Sequence, residues 1–333
     1  MTTMRAVVHD RYGDASVLRI EEVAVPTPKA GEVLLRVRAA SVNPADVITA
    51  AGSPAVVRVG NGLTRPKKRV RGMDVAGTIE AVGEGVTRWS IGDAVFGQGV
   101  GTFAEFAVAR EDSLAALPPG VPFEHGASVA VAGISAQIAL EISGLKPGDR
   151  LLINGAAGGI GQFAVQMAKN QGFHVTGVCS THNVERVQGL GADVVLDYAV
   201  DDVLAPPEPY DCILDNAGSV KVSDWRRITR KDGVIMPNSG APGPDGGAIR
   251  RLIKALAQNL WASQHIKTFY ATVTTERLER FGEDLESGAV VPLVDTMFTL
   301  DHAAEAMRRV ESHHARGKVI VTIPEVTTQR SAS

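Results

Sequence analysis

Apolar and polar positions alternate along the first third of the chain. Gly31–Val42 (GEVLLRVRAASV) sets the pattern. Arg5–His9, Leu18–Val25, Val75–Val82, Asp93–Phe96 and Phe103–Ala109 continue it in short runs separated by Gly and Pro. A period of two in short, punctuated runs predicts strands, and their spacing predicts a small barrel or sandwich. The pattern then changes. Arg150–Asn154, His174–Cys179, Val194–Leu196, Asp211–Asp215 and Gly233–Met236 read as strands, with helices over Gln162–Gln171 and Val184–Leu190. Strand alternating with helix predicts βαβ units and a parallel sheet covered on both faces, hence an α/β chain. Further on, Thr275–Ser287 and Asp301–Glu311 read as helices. Pro292–Thr299 and Lys318–Thr322 read as strands able to rejoin the N-terminal sheet. Gly247–Ile266 reads as an amphipathic helix with Leu252, Leu256 and Leu260 on one stripe, serving as a subunit interface, a sheet cover or a cleft wall. The polar tail over residues 327–333 reads as a frayed end.

The strongest local chemistry is a glycine turn, Asn154-Gly155-Ala156-Ala157-Gly158-Gly159-Ile160-Gly161, which follows a strand and opens a helix. In that context backbone amides at a helix N-terminus can close on a diphosphate that side chains would otherwise keep away. A bare glycine cluster is a turn and no more. Here the preceding strand, the following helix and a second strand about twenty residues on favour dinucleotide binding. That second strand ends in Val178-Cys179-Ser180-Thr181-His182, with no carboxylate to meet a ribose 2′-hydroxyl. Ser180 and Thr181, with His182 or Arg186, suit a 2′-phosphate instead, which predicts NADPH over NADH. Ser180 also has the plainer reading of a residue that ends a strand.

Composition narrows the rest. The 333 residues suggest two domains, and 44% apolar with 21% charged residues is ordinary for a globular protein. A net charge of −3 removes the basic excess that nucleic-acid binding needs. Two cysteines, Cys179 and Cys212, exclude a disulfide scaffold and a four-cysteine zinc site, and both fall on strand runs as small apolar residues. No histidine pair shows ligand spacing, and His313-His314 reads as a helix end. No signal core or membrane-length apolar run is seen, so a cytoplasmic protein is the expectation. The basic run Arg65–Arg71 reads as a solvated loop, or as a patch drawing an anionic substrate. Trp225, Trp261 and Phe269 read as packing residues.

Several short segments, in order, resemble the medium-chain dehydrogenase/reductase superfamily, and within it the zinc-independent NADPH:quinone oxidoreductases. They are Asn43-Pro44-Ala45-Asp46, Gly72-Met73-Asp74-Val75-Ala76-Gly77, Gly92-Asp93-Ala94-Val95-Phe96-Gly97 and Ala132-Gly133-Ile134-Ser135-Ala136. The glycine turn, Gly191-Ala192-Asp193 with Asp197-Tyr198, and His314-Ala315-Arg316-Gly317-Lys318 complete the series. Met73 stands where zinc alcohol dehydrogenases carry a histidine ligand, and there is no room for a cysteine-rich lobe. The resemblance implies a GroES-like β domain (residues 1–127 and 272–333) and a doubly wound Rossmann domain (128–271), with the active site in a cleft between them. It implies NADPH held by Ser135, Ala156, Ala157, Gly158, Gly159, Ile160, Gly161, Ser180, Thr181, His182, Tyr198, Asn216, Asn238 and Lys318. It implies no metal, a quinone or enone as small-molecule substrate, no nucleic acid or membrane as partner, and a homodimer.

The implied reaction is hydride transfer to an electron-poor acceptor, with Asn43 stabilising the charge that develops on oxygen. Asn43 could equally be a turn residue before Pro44. Many quinone reductases place a Tyr two residues after the segment's Asp. Here the sequence runs Asp46-Val47-Ile48, so that hydroxyl is missing and solvent is left to supply any proton. Zinc-independent alcohol oxidation, a pathway enoyl reductase and a non-catalytic NADPH-binding protein stay open as rival readings.

Overall fold

The computed structural model describes residues 2–239 and 263–324, with Pro244, Arg250 and Ile253 in the stretch between. The chain divides into two compact units, Met1–Val131 with Val273–Glu286 and Val294–Ser333, and Ala132–Thr272 with Ser287–Leu293.

The first unit opens with an antiparallel pair, β1 (Thr3–Val8) and β2 (Arg19–Ala24). Next comes β3 (Glu32–Val42), the long strand on which a seven-stranded sheet is built. Helix α1 (Pro44–Ala51) follows it directly, then the short α2 (Arg58–Asn61). The remaining early strands are β4 (Asp74–Val82), β5 (Ala94–Gln98), β6 (Phe106–Arg110) and β7 (Leu114–Ala116), with helix α3 (Phe123–Ala127) after them. Val33, Leu35 and Val37 alternate along β3 and are buried with Val75, Ile79 and Phe103, which is what a period of two delivers when one face meets a core.

The second unit starts with helix α4 (Ala132–Ser143). Strands β8 (Arg150–Asn154), β9 (His174–Cys179), β10 (Val194–Asp197), β11 (Tyr210–Asp215), β12 (Thr229–Pro237) and β13 (His265–Ile266) then make an all-parallel sheet. Helices α5 (Gly161–Asn170), α6 (Val184–Gly189) and α7 (Val222–Arg227) lie between them. In space the order is β10-β9-β8-β11-β12-β13. Numbered from β8, this is 3-2-1-4-5-6, the doubly wound order that reverses between its first and fourth strands. Leu152, Val178, Ile213 and Ile235 form its core with the fully buried Trp225.

The chain then returns to the first unit with helix α8 (Thr275–Glu286), strand β14 (Val294–Thr299), helix α9 (Ala303–Glu311) and strand β15 (Lys318–Thr322). β15 lies antiparallel to β3, with Val319 opposite Val42, and parallel to β14. Residues near both ends of the sequence therefore build one sheet. Beyond α9, His313 adopts φ +58°, the left-handed turn of a helix end.

Three sequence expectations change. Residues 287–293 were assigned to the first domain but belong with the second unit. Side chains of α5 hold that segment by its backbone: Gln162 donates to Leu293 O (3.1 Å), Gln166 to Val291 O (3.1 Å) and Asn170 to Ala289 O (2.9 Å). The helix expected over Gly247–Ile266 does not include its last two residues, because His265–Ile266 pair with β12 as a strand. Leu252, Leu256, Leu260 and Trp261 lie outside the described residues, as does the polar tail. Finally, Arg65, Lys67, Lys68 and Arg69 are exposed, but Arg71 is buried and faces Asp46 at 3.9 Å, so the basic run is not solvated throughout.

Candidate active site

Because all strands of the second sheet run the same way, their C-terminal ends share one edge, and the strand order reverses there between β8 and β11. The loops leaving β8, β9, β10, β11 and β12 at this edge carry Ala156–Gly161, Ser180–His182, Tyr198, Asn216 and Asn238.

After β8 the chain turns sharply. Gly155 has φ +79°, and its amide and that of Ala156 both donate to Val178 O, at 3.1 and 3.0 Å. A Cβ on Gly161 would lie 2.2 Å from Gly155 O, so only glycine lets α5 begin this close to the strand end. The Ala156 methyl is buried, close to the bare backbone of Gly177. The departure from a strict glycine pattern is thereby absorbed below the turn. Ile160 stands at the N-cap with no side-chain cap bond, which leaves the positive end of α5 unopposed by any capping side chain. Such an end suits a diphosphate.

At the end of β9, Ser180 Oγ accepts from Asn183 Nδ2 at 2.9 Å and keeps its own proton to donate. Thr181 differs from expectation. Its hydroxyl is engaged by Asp197, whose carboxyl is held below the ordinary carboxylate range first by that bond and then by the Ala199 amide (3.0 Å). Of the two hydroxyls, that of Ser180 is the one without an acidic partner in the structure. His182 is exposed, and Tyr198 is 63% exposed with its amide donating to Cys179 O at 3.1 Å.

Past β11 a polar network closes the edge. Buried Asp215 accepts from Asn154 Nδ2 (2.8 Å), the Gly218 amide (2.8 Å) and Trp225 Nε1 (2.7 Å). Asn238 Nδ2 donates to Asn216 Oδ1 at 2.9 Å. Asn216 Nδ2 is shielded from water and has no hydrogen-bond partner among the described residues. A donor in that state suits an acceptor brought by a ligand. Ser135 is buried in the first turns of α4.

A second cluster lies in the first unit. Pro44 starts α1, and Asp46 reaches back to the Asn43 amide at 3.0 Å, the reciprocal contact of a capping box. The Asn43 side chain is turned elsewhere. Its Nδ2 donates to Asp74 Oδ2 at 2.9 Å, and its Oδ1 accepts from Lys318 Nζ at 2.7 Å. Ser41 Oγ also donates to Asp74 Oδ2 (2.9 Å), and the Val131 amide to Asp74 Oδ1 (3.2 Å). Lys318, expected at the cofactor, thus has its ammonium committed beside Asn43. Burial pushes the Asp46 carboxyl up to about 6, against the pull of Arg71. Burial likewise raises Asp74 and lowers Lys318, and each opposes the other's shift. His9 is fully buried, and its pKa is lowered by burial and then by Arg71.

Asp46, Asp74 and Arg71 received no role from sequence. An acid three residues into a helix that starts at Asn-Pro, and an acid amid the apolar residues of a strand, were the signals available. The cysteines are inert: burial pushes the Cys179 thiol up to about 11 and Cys212 to about 12. Among the described residues no group of three or more His, Cys, Asp or Glu could hold a metal ion, and no helix is long and apolar enough to cross a membrane.

Residues 29–119 match the alcohol dehydrogenase GroES-like domain family, and residues 190–321 the zinc-binding dehydrogenase family. The chain is 32% identical to the chloroplastic quinone-oxidoreductase QR1 of Triphysaria versicolor, over 96% of this chain and 98% of that protein. It belongs to the quinone oxidoreductase family of medium-chain dehydrogenase/reductases. The fold of this oxidoreductase agrees with that of a solved relative, the quinone oxidoreductase from Coxiella burnetii. That structure has a TM-score of 0.86 and 27% identity, covering 97% of this chain and 100% of the other. A chloroplastic NADPH-dependent alkenal/one oxidoreductase of Arabidopsis thaliana is 28% identical over 96% of this chain and 79% of its own. The two units are the GroES-like and Rossmann domains of that superfamily, and the family is nicotinamide-dependent.

Proposed function

We propose that this oxidoreductase transfers hydride from NADPH to a quinone or a conjugated enone without a catalytic metal. The observation that carries the reading is the C-terminal edge of the parallel sheet. A glycine-rich turn, an uncapped helix N-terminus, a hydroxyl with a proton to give and a buried amide with no partner among the described residues fit a dinucleotide bearing an additional phosphate. The acceptor class rests on the names of the quinone and alkenal/one oxidoreductases that the chain resembles.

A reduced nicotinamide bound there would supply the hydride. The amides of residues 157 and 159–161 would bind its diphosphate, with Ser180 on the extra phosphate and Tyr198 beside it. Asn216 and Asn238 would orient the carboxamide end. Asn43 Nδ2 would donate to the acceptor oxygen on which negative charge grows, and water would supply the proton. Two observations support the metal-free part of this reading: the resemblance puts Met73 where zinc alcohol dehydrogenases carry a histidine, and among the described residues no group of three or more His, Cys, Asp or Glu could hold a metal ion.

Steady-state NADPH oxidation with 1,4-benzoquinone and with a simple enone tests the reading in metal-free buffer. Turnover of at least one is expected. Tight NADPH binding with turnover of neither would overturn it. In the same assay Ser180→Asp should move the preference toward NADH, by about tenfold or more if one charge-assisted hydrogen bond to phosphate is replaced by repulsion. Unchanged discrimination would remove Ser180 from the phosphate site.

A further inference from the structure

We propose that Lys318 and Asp74 are positioning residues that clamp the Asn43 carboxamide so that one of its N–H groups is held for the acceptor oxygen. The inference rests on the reading above, in which Asn43 is that donor. The two ends of an asparagine amide are nearly alike in shape and opposite in polarity, so the residue alone does not decide which end faces a substrate. Here charge decides. Lys318 Nζ approaches Oδ1 at 2.7 Å, and Asp74 Oδ2 receives Nδ2 at 2.9 Å. An ammonium accepts nothing and a carboxylate donates nothing. The flipped amide would therefore set N–H against ammonium and oxygen against carboxylate. The two charges stand 3.6 Å apart and brace each other.

Burial removes competition from water. Asn43 is 2% exposed, Lys318 3% and Asp74 0%. Ser41 and the Val131 amide hold the Asp74 carboxylate still, and Asp46 holds the Asn43 backbone. Nδ2 carries two hydrogens and Asp74 takes one, which leaves the other for substrate. The ammonium on Oδ1 also draws electron density from the amide nitrogen, making that remaining hydrogen a better donor. A buried ion pair contributes little net stability against an apolar replacement, so its use here is to specify one orientation.

A double-mutant cycle tests the clamp, because a residue that acts only through Asn43 loses its effect when Asn43 is gone. Turnover is read as kcat with 1,4-benzoquinone, and NADPH affinity separately by fluorescence titration without acceptor. Asn43→Ala should lower kcat about a hundredfold, the cost of one oxyanion donor. Lys318→Met should lower kcat about tenfold in the natural chain and by less than about twofold in the Asn43→Ala background, with the NADPH Kd essentially unchanged. Lys318→Arg should recover part of the loss. If Lys318→Met costs the same factor in both backgrounds, or weakens NADPH binding and leaves kcat intact, the clamp is overturned while Asn43 keeps its role. If Asn43→Ala retains full kcat, the donor assignment itself fails. Should Lys318→Met not fold, Lys318→Met with Asp74→Asn removes both charges, and the same loss and the same non-additivity are expected of it.

Discussion

Asp46 is an acid that water does not reach. Its oxygens meet the Asn43 amide and, at 3.9 Å, the Arg71 guanidinium. Burial pushes its carboxyl from 3.8 to about 6. The unfolded chain therefore releases this proton first, and between about pH 4 and pH 6 the folded state holds more protons than the unfolded one. Stability from this group falls as pH rises through that window and is flat above it. The whole difference amounts to roughly 2 to 3 kcal/mol. Asp46→Asn keeps an oxygen for the Asn43 amide and removes the titration. Urea unfolding at a series of pH values should show the variant gaining on the natural chain from pH 4 to pH 6. A constant gap across the range would contradict the assignment. At this scale the sequence pointed to candidate residues but not to how they pair. Asn43, Ser180 and the glycines stand in patterned segments. Arg71 sits inside a run of charges that otherwise faces water, and nothing in its neighbours shows that it turns inward toward an acid 25 positions earlier. The partner of the Thr181 hydroxyl was hidden for the same reason: Asp197 comes from another strand.

Short apolar runs bounded by turn residues were legible as strands, and elements with neither such bounds nor a polar face were not. β8, β9 and β15 have the boundaries that their apolar runs suggest. Helix α4 was missed because ten of its twelve residues are buried, so no polar face marks a helical period. β7 and β13, at three and two residues, are too short to show any period. The join between β8 and α5 is the element most tightly determined by sequence. Gly161→Val would drive a side chain into Gly155 O and the Ala156 backbone, neither of which can swing aside. A loss of about 2 kcal/mol or more in urea-unfolding free energy is expected, together with loss of NADPH binding by titration. Normal stability and affinity would show that the helix need not approach so closely.

At the scale of the whole molecule, βαβ alternation pointed to the parallel sheet, and the apolar runs near residues 292–299 and 318–322 pointed to strands that return to the first sheet. Which strand they would join was not legible, since register is decided by partners far away in sequence. The segment at residues 287–293 was misplaced because its attachment is made by α5 side chains to backbone carbonyls, which carry no sequence signature.

The position of β15 has a consequence for synthesis. It fills the place between β14 and β3, and its first residue is the lysine that meets Asn43. While the ribosome is still reading the middle of the message, β6 already covers residues 32–36 of β3, but residues 39–42 wait for their partner, a surface prone to sticking to other chains. Nascent chains stalled before residue 318 should be cleaved readily by protease within residues 39–42, and those stalled with residue 322 clear of the exit tunnel should resist. Equal resistance at both lengths would mean that the early sheet closes without its last strand.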